Sequence, residues 1–313
     1  MTDRSSNSDA LAFVLRDLRP ARASYGRLSL RDPWGIDLPF EDGVRFHLVV
    51  EGECILQGPG DVPITLAAGD IALLPRGSAH AISDRSESAT VSLEELDGEE
   101  IGDRVYSLRK GVDGAGALLV CCTVGFDAPF AQRLLQQMPP VMILRRSDAA
   151  ISGLCALADL MAEEARRQRI GMATLLPRLA DIIVTLVVRH WAENSNLQPG
   201  GWLNALRDPG LGKAIVAIHR EPARPWTAAT LARTAGMSRT AFAARFSAAL
   251  KQPPGQYLLE TRMGIARERL SHAGSTIAST AEAVGYGSEA AFSRAFKRVT
   301  GSSPGAFSRL SSG

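Results

Sequence analysis

The sequence predicts an α+β multidomain protein: an N-terminal β-sandwich or barrel, two linking helices, and an all-α C-terminal domain with two helix-turn-helix motifs. Three observations predict it. A pattern of small, Gly, Ser, aromatic and Pro residues occurs twice near the C-terminus, fifty residues apart. Short strand-like runs divided by turn signals lie between residues 25 and 126. The charge is also divided, because residues 209–313 hold 14 Lys/Arg against 5 Asp/Glu (+9), leaving 21 against 28 (−7) in residues 1–208.

At 313 residues, 45% hydrophobic and 22% charged, the chain suffices for two domains with their own cores. No run approaches the roughly 18 uncharged apolar residues that span a bilayer, and Met1–Asp9 lacks the apolar core of a secretion signal. A cytoplasmic protein with no membrane partner is expected. The four cysteines (Cys54, Cys121, Cys122, Cys155) lack metal-ligand spacing and are expected to be thiols. Cys121 and Cys122, adjacent in an apolar run, face opposite sides of a strand. Packing is their expected role, with redox sensing as the alternative.

Leu11–Leu18 reads as a short helix. Strand-like runs follow at Tyr25–Leu30, Trp34–Leu38, Phe46–Val50, Cys54–Gln57, Ile64–Leu66, Ile71–Leu74, Thr90–Leu93, Val105–Leu108 and Leu118–Phe126. Glu-Gly, Gly-Pro-Gly-Asp and Ala-Gly-Asp segments supply turns among them.

Gly69, Pro75, Gly77, His80 and Asp84 are spaced as in the second motif of the cupin barrel, with Asp84 where Asn is usual, and Phe46–Glu53 resembles the hairpin preceding it. The resemblance implies a cupin-like barrel over residues 1–145. Counted from Gly58, Glu51 and His47 fall at metal-ligand positions, with Arg45 where another His belongs. Counted from Gly52, which suits a tight turn better, Arg45 replaces the Glu ligand and Pro39-Phe40-Glu41 the His pair. Either register puts a cation in a ligand slot, so neither metal nor other cofactor is expected. Arg45, His47 and His80 are instead the candidate effector-pocket residues.

Val141–Leu144 reads as a strand. From Asp148 to Arg166, Ile151, Leu154, Cys155, Ala158 and Met161/Ala162 recur with helical period. A second helix spans Thr174–Asn194, with an apolar stripe of Leu176, Leu179, Ile182/Ile183, Leu186, Val187 and Trp191. Such a stripe packs on its own barrel or on a second copy; its width favours a homodimer. Asn194–Pro209, containing Pro199-Gly200-Gly201, reads as a linker that closes the 146–208 helical region.

The repeated pattern is Leu231, Ala232, Gly236, Ser238, Phe242, Phe246, Pro254, Tyr257, then Ala281, Gly285, Tyr286, Ser288, Phe292, Phe296, Pro304, Phe307. Gly closes one helix, Ser caps the next, and aromatics at i, i+4 bury one face of it. This is helix-turn-helix spacing, and the second helix of such a pair enters a major groove. Trp226–Leu310 resembles the DNA-binding domain of the AraC/XylS family of transcription regulators, the segment Ala281–Phe307 being close to its signature. Thr280 departs from it, standing where an aliphatic residue is usual.

The resemblance implies an AraC-family transcription regulator that binds double-stranded DNA through residues 209–313 and is no enzyme. A thiol-redox-responsive regulator, or a cupin enzyme with an accessory DNA-binding domain, are the alternatives. By resemblance, base-reading residues are Thr240, Ala243 and Ala244 on the first recognition helix and Glu289, Ala290, Ser293 and Arg294 on the second. Arg294 suits guanine; Glu289 accepts from cytosine or orients a neighbouring Arg. Arg239, Ser288, Lys297 and Arg298 are expected on phosphates. Arg262, Arg267 and Arg269 are expected to pair with Glu260 and Glu268. A small-molecule effector and RNA polymerase are the remaining candidate partners.

Overall fold

A computed structural model describes residues 22–60, 62–111, 115–126, 129–147, 153–194, 201–271 and 274–311. The expected helix Leu11–Leu18 and the helix start around Asp148 and Ile151 lie outside them. By internal contacts the chain forms two units: Arg19–Phe126 with Leu135–Asn194, and Ser195–Gly313 with Asp127–Leu134.

Among the described residues of the first unit, twelve strands form two sheets: β1 (Arg22–Arg31), β2 (Gly35–Leu38), β3 (Val44–Glu51), β4 (Glu53–Gln57), β5 (Ile64–Ala67), β6 (Ile71–Leu74), β7 (His80–Ser83), β8 (Val91–Ser92), β9 (Asp97–Gly102), β10 (Val105–Lys110), β11 (Gly116–Gly125) and β12 (Met142–Leu144). One sheet runs β12-β6-β3-β11-β1-β10-β9, the other β5-β4-β7-β2-β8. Leu28, Leu30, Trp34, Ile36, Val49, Leu56, Leu66, Ile82 and Leu119, drawn from both sheets or the turns between them, share one core. The barrel is thus two facing cupin-like sheets rather than a closed ring.

Gly52 makes a corner, not the expected hairpin turn, because β3 and β4 belong to different sheets. Its φ is +75°, and a Cβ there would lie 2.4 Å from the Gly116 carbonyl oxygen, so only Gly turns the chain here. Strand β3 is buried on both faces through Val50. Its polar residues, Arg45 and His47, are therefore buried along with its apolar ones. Strands β7 and β9 escaped sequence reading. The latter, DGEEIG, is largely exposed and lacks apolar alternation.

Helix α1 (Pro129–Gln137) follows β11. Helices α2 (Leu154–Arg167) and α3 (Met172–Asn194) pack on each other. Arg27 of β1 donates to the Ala165 carbonyl at 2.6 Å, and Arg166 to the Val50 carbonyl at 2.8 Å, so the C-terminal turn of α2 is tied to the sheet. The stripe on α3 requires correction. Leu176, Leu179, Ile183 and Val187 are buried, and α2 and strand β9 pack against the helix. What stays open is Leu175 (41% exposed), Ile182 (47%) and, on α2, Leu160 (49%).

The second unit is helical: α4 (Trp202–Arg207), α5 (Pro209–Arg220), α6 (Ala228–Thr234), α7 (Arg239–Leu250), α8 (Pro254–Ser271), α9 (Ile277–Ala283), α10 (Glu289–Thr300) and α11 (Pro304–Ser311). The expected linker thus contains a helix, α4. Trp202, Leu203 and Leu206 are buried, and the Trp202 indole donates to the Tyr257 hydroxyl at 2.7 Å. Asp208, beside Pro209, caps α5 through Gly210 and Leu211.

Candidate nucleic-acid interface and effector cavity

The two motifs repeat down to their caps and rings. Thr227 and Thr276 cap α6 and α9, each in a reciprocal box with the residue three later. Gly236 (φ +68°) and Gly285 (φ +79°) end those helices in the left-handed region. Ser238 and Ser288 accept from the amides of Ala241 and Ala291 at 3.3 Å, starting α7 and α10. The ring pairs Phe242–Phe246 and Phe292–Phe296 lie 5.3 and 5.6 Å apart, both at 51°. Helix α8 serves both cores. Its Tyr257 packs on Phe246, while Met263, Ala266 and Leu270 join Phe292 and Phe296.

Burying those rings leaves the opposite faces to solvent. Arg239, Thr240 and Ala244 are exposed on α7 and Ala243 is half-buried; on α10, Glu289, Ala290, Arg294, Lys297 and Arg298 are exposed and Ser293 is half-buried. Ser288 spends a lone pair on its cap, leaving its hydroxyl hydrogen to donate. Sequence reading missed Arg245, which is exposed on α7 and ion-paired to Asp208. Nothing local joins residues 37 apart. Arg262 also differs from expectation. It donates to the Pro222 carbonyl at 2.8 Å and lies over the Tyr286 ring, rather than pairing with Glu260. The partner of Glu260 is Arg133, at 2.9 Å.

Strand pairing builds the other site. Arg45 and His47 alternate onto one face of β3, opposite Thr123 and Cys121 of β11. They line a cavity of about 430 Å³ whose wall includes Tyr25, Leu28, Leu96, Tyr106 and Leu108. His80 does not line it but stands behind His47, their Nε2 atoms 2.7 Å apart. His47 Nδ1 lies 3.0 Å from Cys121 Sγ, and His80 Nδ1 2.8 Å from the Ser78 carbonyl. Burial lowers both imidazole pKa values, His80 to about 4 and His47 well below its usual value, where His80 and Arg45 add to the effect. Burial also pushes the Cys121 and Cys122 thiols up and Cys54 to about 12. Among the described residues no group of three His, Cys, Asp or Glu gathers to hold a metal. The facing imidazole nitrogens are bonded to each other.

From the cavity wall the Tyr25 hydroxyl donates to Asp181 Oδ1 on α3 at 3.2 Å. Burial, foremost, raises the Asp181 pKa, while the tyrosine bond opposes it. This bond ties the cavity to the helix pair within one unit. Its sequence separation of 156 residues hid it.

The profile of the Cupin family matches residues 9–193, and that of a helix-turn-helix domain matches residues 231–310. An AraC-like transcription regulator from Streptomyces lividans is 33% identical over 299 residues, covering 95% of this chain and 97% of that one. The chain belongs to the AraC-like transcription regulators. The regulator AlkR of Acinetobacter baylyi is 28% identical over 300 residues, with 95% and 97% covered. Among solved structures, the DNA-binding domain of AdpA in complex with a target DNA is 27% identical over 32% of this chain and 89% of its own, at a TM-score of 0.31. This AraC-family chain is a DNA-binding transcription regulator with an N-terminal cupin domain. No described helix is long and apolar enough to cross a membrane.

Proposed function

We propose that an organic effector bound in the Arg45–His47 cavity alters how this regulator engages DNA, and that it acts as a cytoplasmic homodimer without enzymatic activity. The observation that carries this reading is the Tyr25–Asp181 bond, which links the cavity wall to α3. A ligand that displaces Tyr25 changes the support of that helix. The functional division is 1–145 for sensing, 146–208 for dimerisation and linkage, and 209–313 for DNA. Arg294, with Thr240, Ala243, Ala244, Glu289, Ala290 and Ser293, faces base edges; Arg239, Ser288, Lys297 and Arg298 take phosphates. The two recognition helices of one protomer fit successive major-groove turns about 34–36 Å apart. RNA polymerase is the partner such a bound regulator would act on.

The open apolar residues Leu160, Leu175 and Ile182 form the dimer face in this reading. The raised thiol pKa values keep Cys121 and Cys122 protonated, which favours an effector over thiol oxidation. Genome-wide mapping of bound DNA, followed by binding assays on those sites with Tyr25→Phe, tests the proposal. Wild-type response to an effector with a blunted response in Tyr25→Phe supports it. An identical response in both refutes the Tyr25 route.

A further inference from the structure

We propose that the cavity takes a small apolar carboxylate, an alkyl or aryl acid, whose carboxylate pairs with Arg45 while its body lies on the leucine-lined wall. This rests on reading the cavity as an effector site and names the chemistry of the effector. A volume of about 430 Å³ falls within the range of small-molecule sites, about 300–1,000 Å³. Leu28, Leu38, Leu96 and Leu108 present apolar surface, which favours a hydrocarbon body.

Against that wall stands a buried cation. Arg45 is only 4% exposed. Its two hydrogen bonds among the described residues both leave from Nη2, to the Pro39 carbonyl at 2.7 Å and Glu41 Oε2 at 3.1 Å. Its Nε is buried with no partner among the described residues. A buried donor left unpaired is costly, so an acceptor delivered to it is bound with advantage. Glu41 balances the charge weakly, because its side chain is 49% exposed. His47 adds no second cation: it is engaged by Cys121 and His80. A guanidinium whose Nε–H is unpaired, beside a mainly apolar wall, fits one carboxylate, held by a charge-assisted bond to that donor. The wall also carries Ser24, Glu94, Tyr106 and Thr123, so the preference for a carboxylate rests on the Arg45 donor and not on a want of polar groups.

Calorimetric titration of the full chain with octanoate, 1-octanol and octylamine tests the inference. Octanoate should bind about tenfold to a hundredfold more tightly than 1-octanol, and octylamine more weakly than either. Arg45→Met should abolish the octanoate preference while 1-octanol binding persists, and Arg45→Lys should restore part of it. Leu108→Trp, on a different strand, should weaken octanoate and 1-octanol together, and it remains informative if the Arg45 variants unfold. Equal affinity for octanoate and 1-octanol would overturn the proposal. So would no binding of any probe at millimolar concentration, an intact preference in folded Arg45→Met, or unchanged binding in Leu108→Trp. DNA affinity is a separate reading: octanoate that binds without altering it supports the ligand class and refutes the effector role.

Discussion

His47 and His80 are joined Nε2 to Nε2 at 2.7 Å, in a chain that ends on the Ser78 carbonyl at one side and Cys121 at the other. A carbonyl can only accept, so neutral His80 carries its proton on Nδ1 and offers Nε2 as acceptor. His47 therefore donates from Nε2, and its Nδ1 accepts from the Cys121 thiol. Protonating His80 puts two donors face to face, whereas protonating His47 keeps the Nε2 bond but turns the Cys121 thiol from donor to acceptor. Burial opposes a charge on either ring.

That fixes the sign of a pH effect. Both folded pKa values lie below the unfolded value of about 6.5, so the unfolded chain binds more protons. The stabilisation is complete above about pH 6.5 and is lost as pH falls toward about 4, by up to about 1.4 kcal/mol per unit per ring. His219, lowered to about 3 by burial and Arg133, acts with the same sign in the C-terminal unit. Urea unfolding followed across this window should show the decline, and combining His47→Gln with His80→Gln should flatten the N-terminal part of it. A pH-independent wild type would contradict the neutral chain.

Arg294→Ala should relax preference at one base pair, by roughly 1–3 kcal/mol. Lys297→Ala should weaken specific and non-specific DNA about equally and reduce the salt slope by about one. Fluorescence anisotropy on mapped and scrambled sites, over a salt series, separates the two. Equal loss on both sites for Arg294→Ala would move it to the phosphates.

Thr280 is fully buried, and its Oγ1 has no partner among the described residues. Thr280→Val keeps the shape and removes the stranded hydroxyl, so it should stabilise the C-terminal unit by roughly 1 kcal/mol. Phe292→Ala empties the core that Thr280 adjoins and should destabilise by about 3–5 kcal/mol. Thermal melts of residues 201–313, which retain Trp202, read both. A Thr280→Val variant no more stable than wild type would mean that its hydroxyl finds a partner in solution.

Ile182→Glu should split the dimer without unfolding the protein, whereas Ile183→Glu should unfold it, since Ile183 is fully buried and its neighbour 47% exposed. Sedimentation with circular dichroism distinguishes these outcomes. A wild type that sediments as a monomer at micromolar concentration would remove the dimer altogether.

The sequence by itself determined the double helix-turn-helix unit. Its signals are local: a left-handed Gly at 236 and 285, Ser caps at 238 and 288, and Phe residues at i, i+4 all act within a turn or two of the chain. It also determined most strands, through alternation and turn residues. Only the tertiary structure decided which strands share a sheet, that Gly52 turns a corner between sheets, and that the α3 stripe is largely buried. It alone joined His47 to Cys121 across 74 residues and left Arg45 with an unpaired donor in an apolar cavity. The physical reason is range. Caps and helical periods are settled by neighbours a few residues away, whereas burial of a cation or a helix face depends on surfaces that distant segments supply.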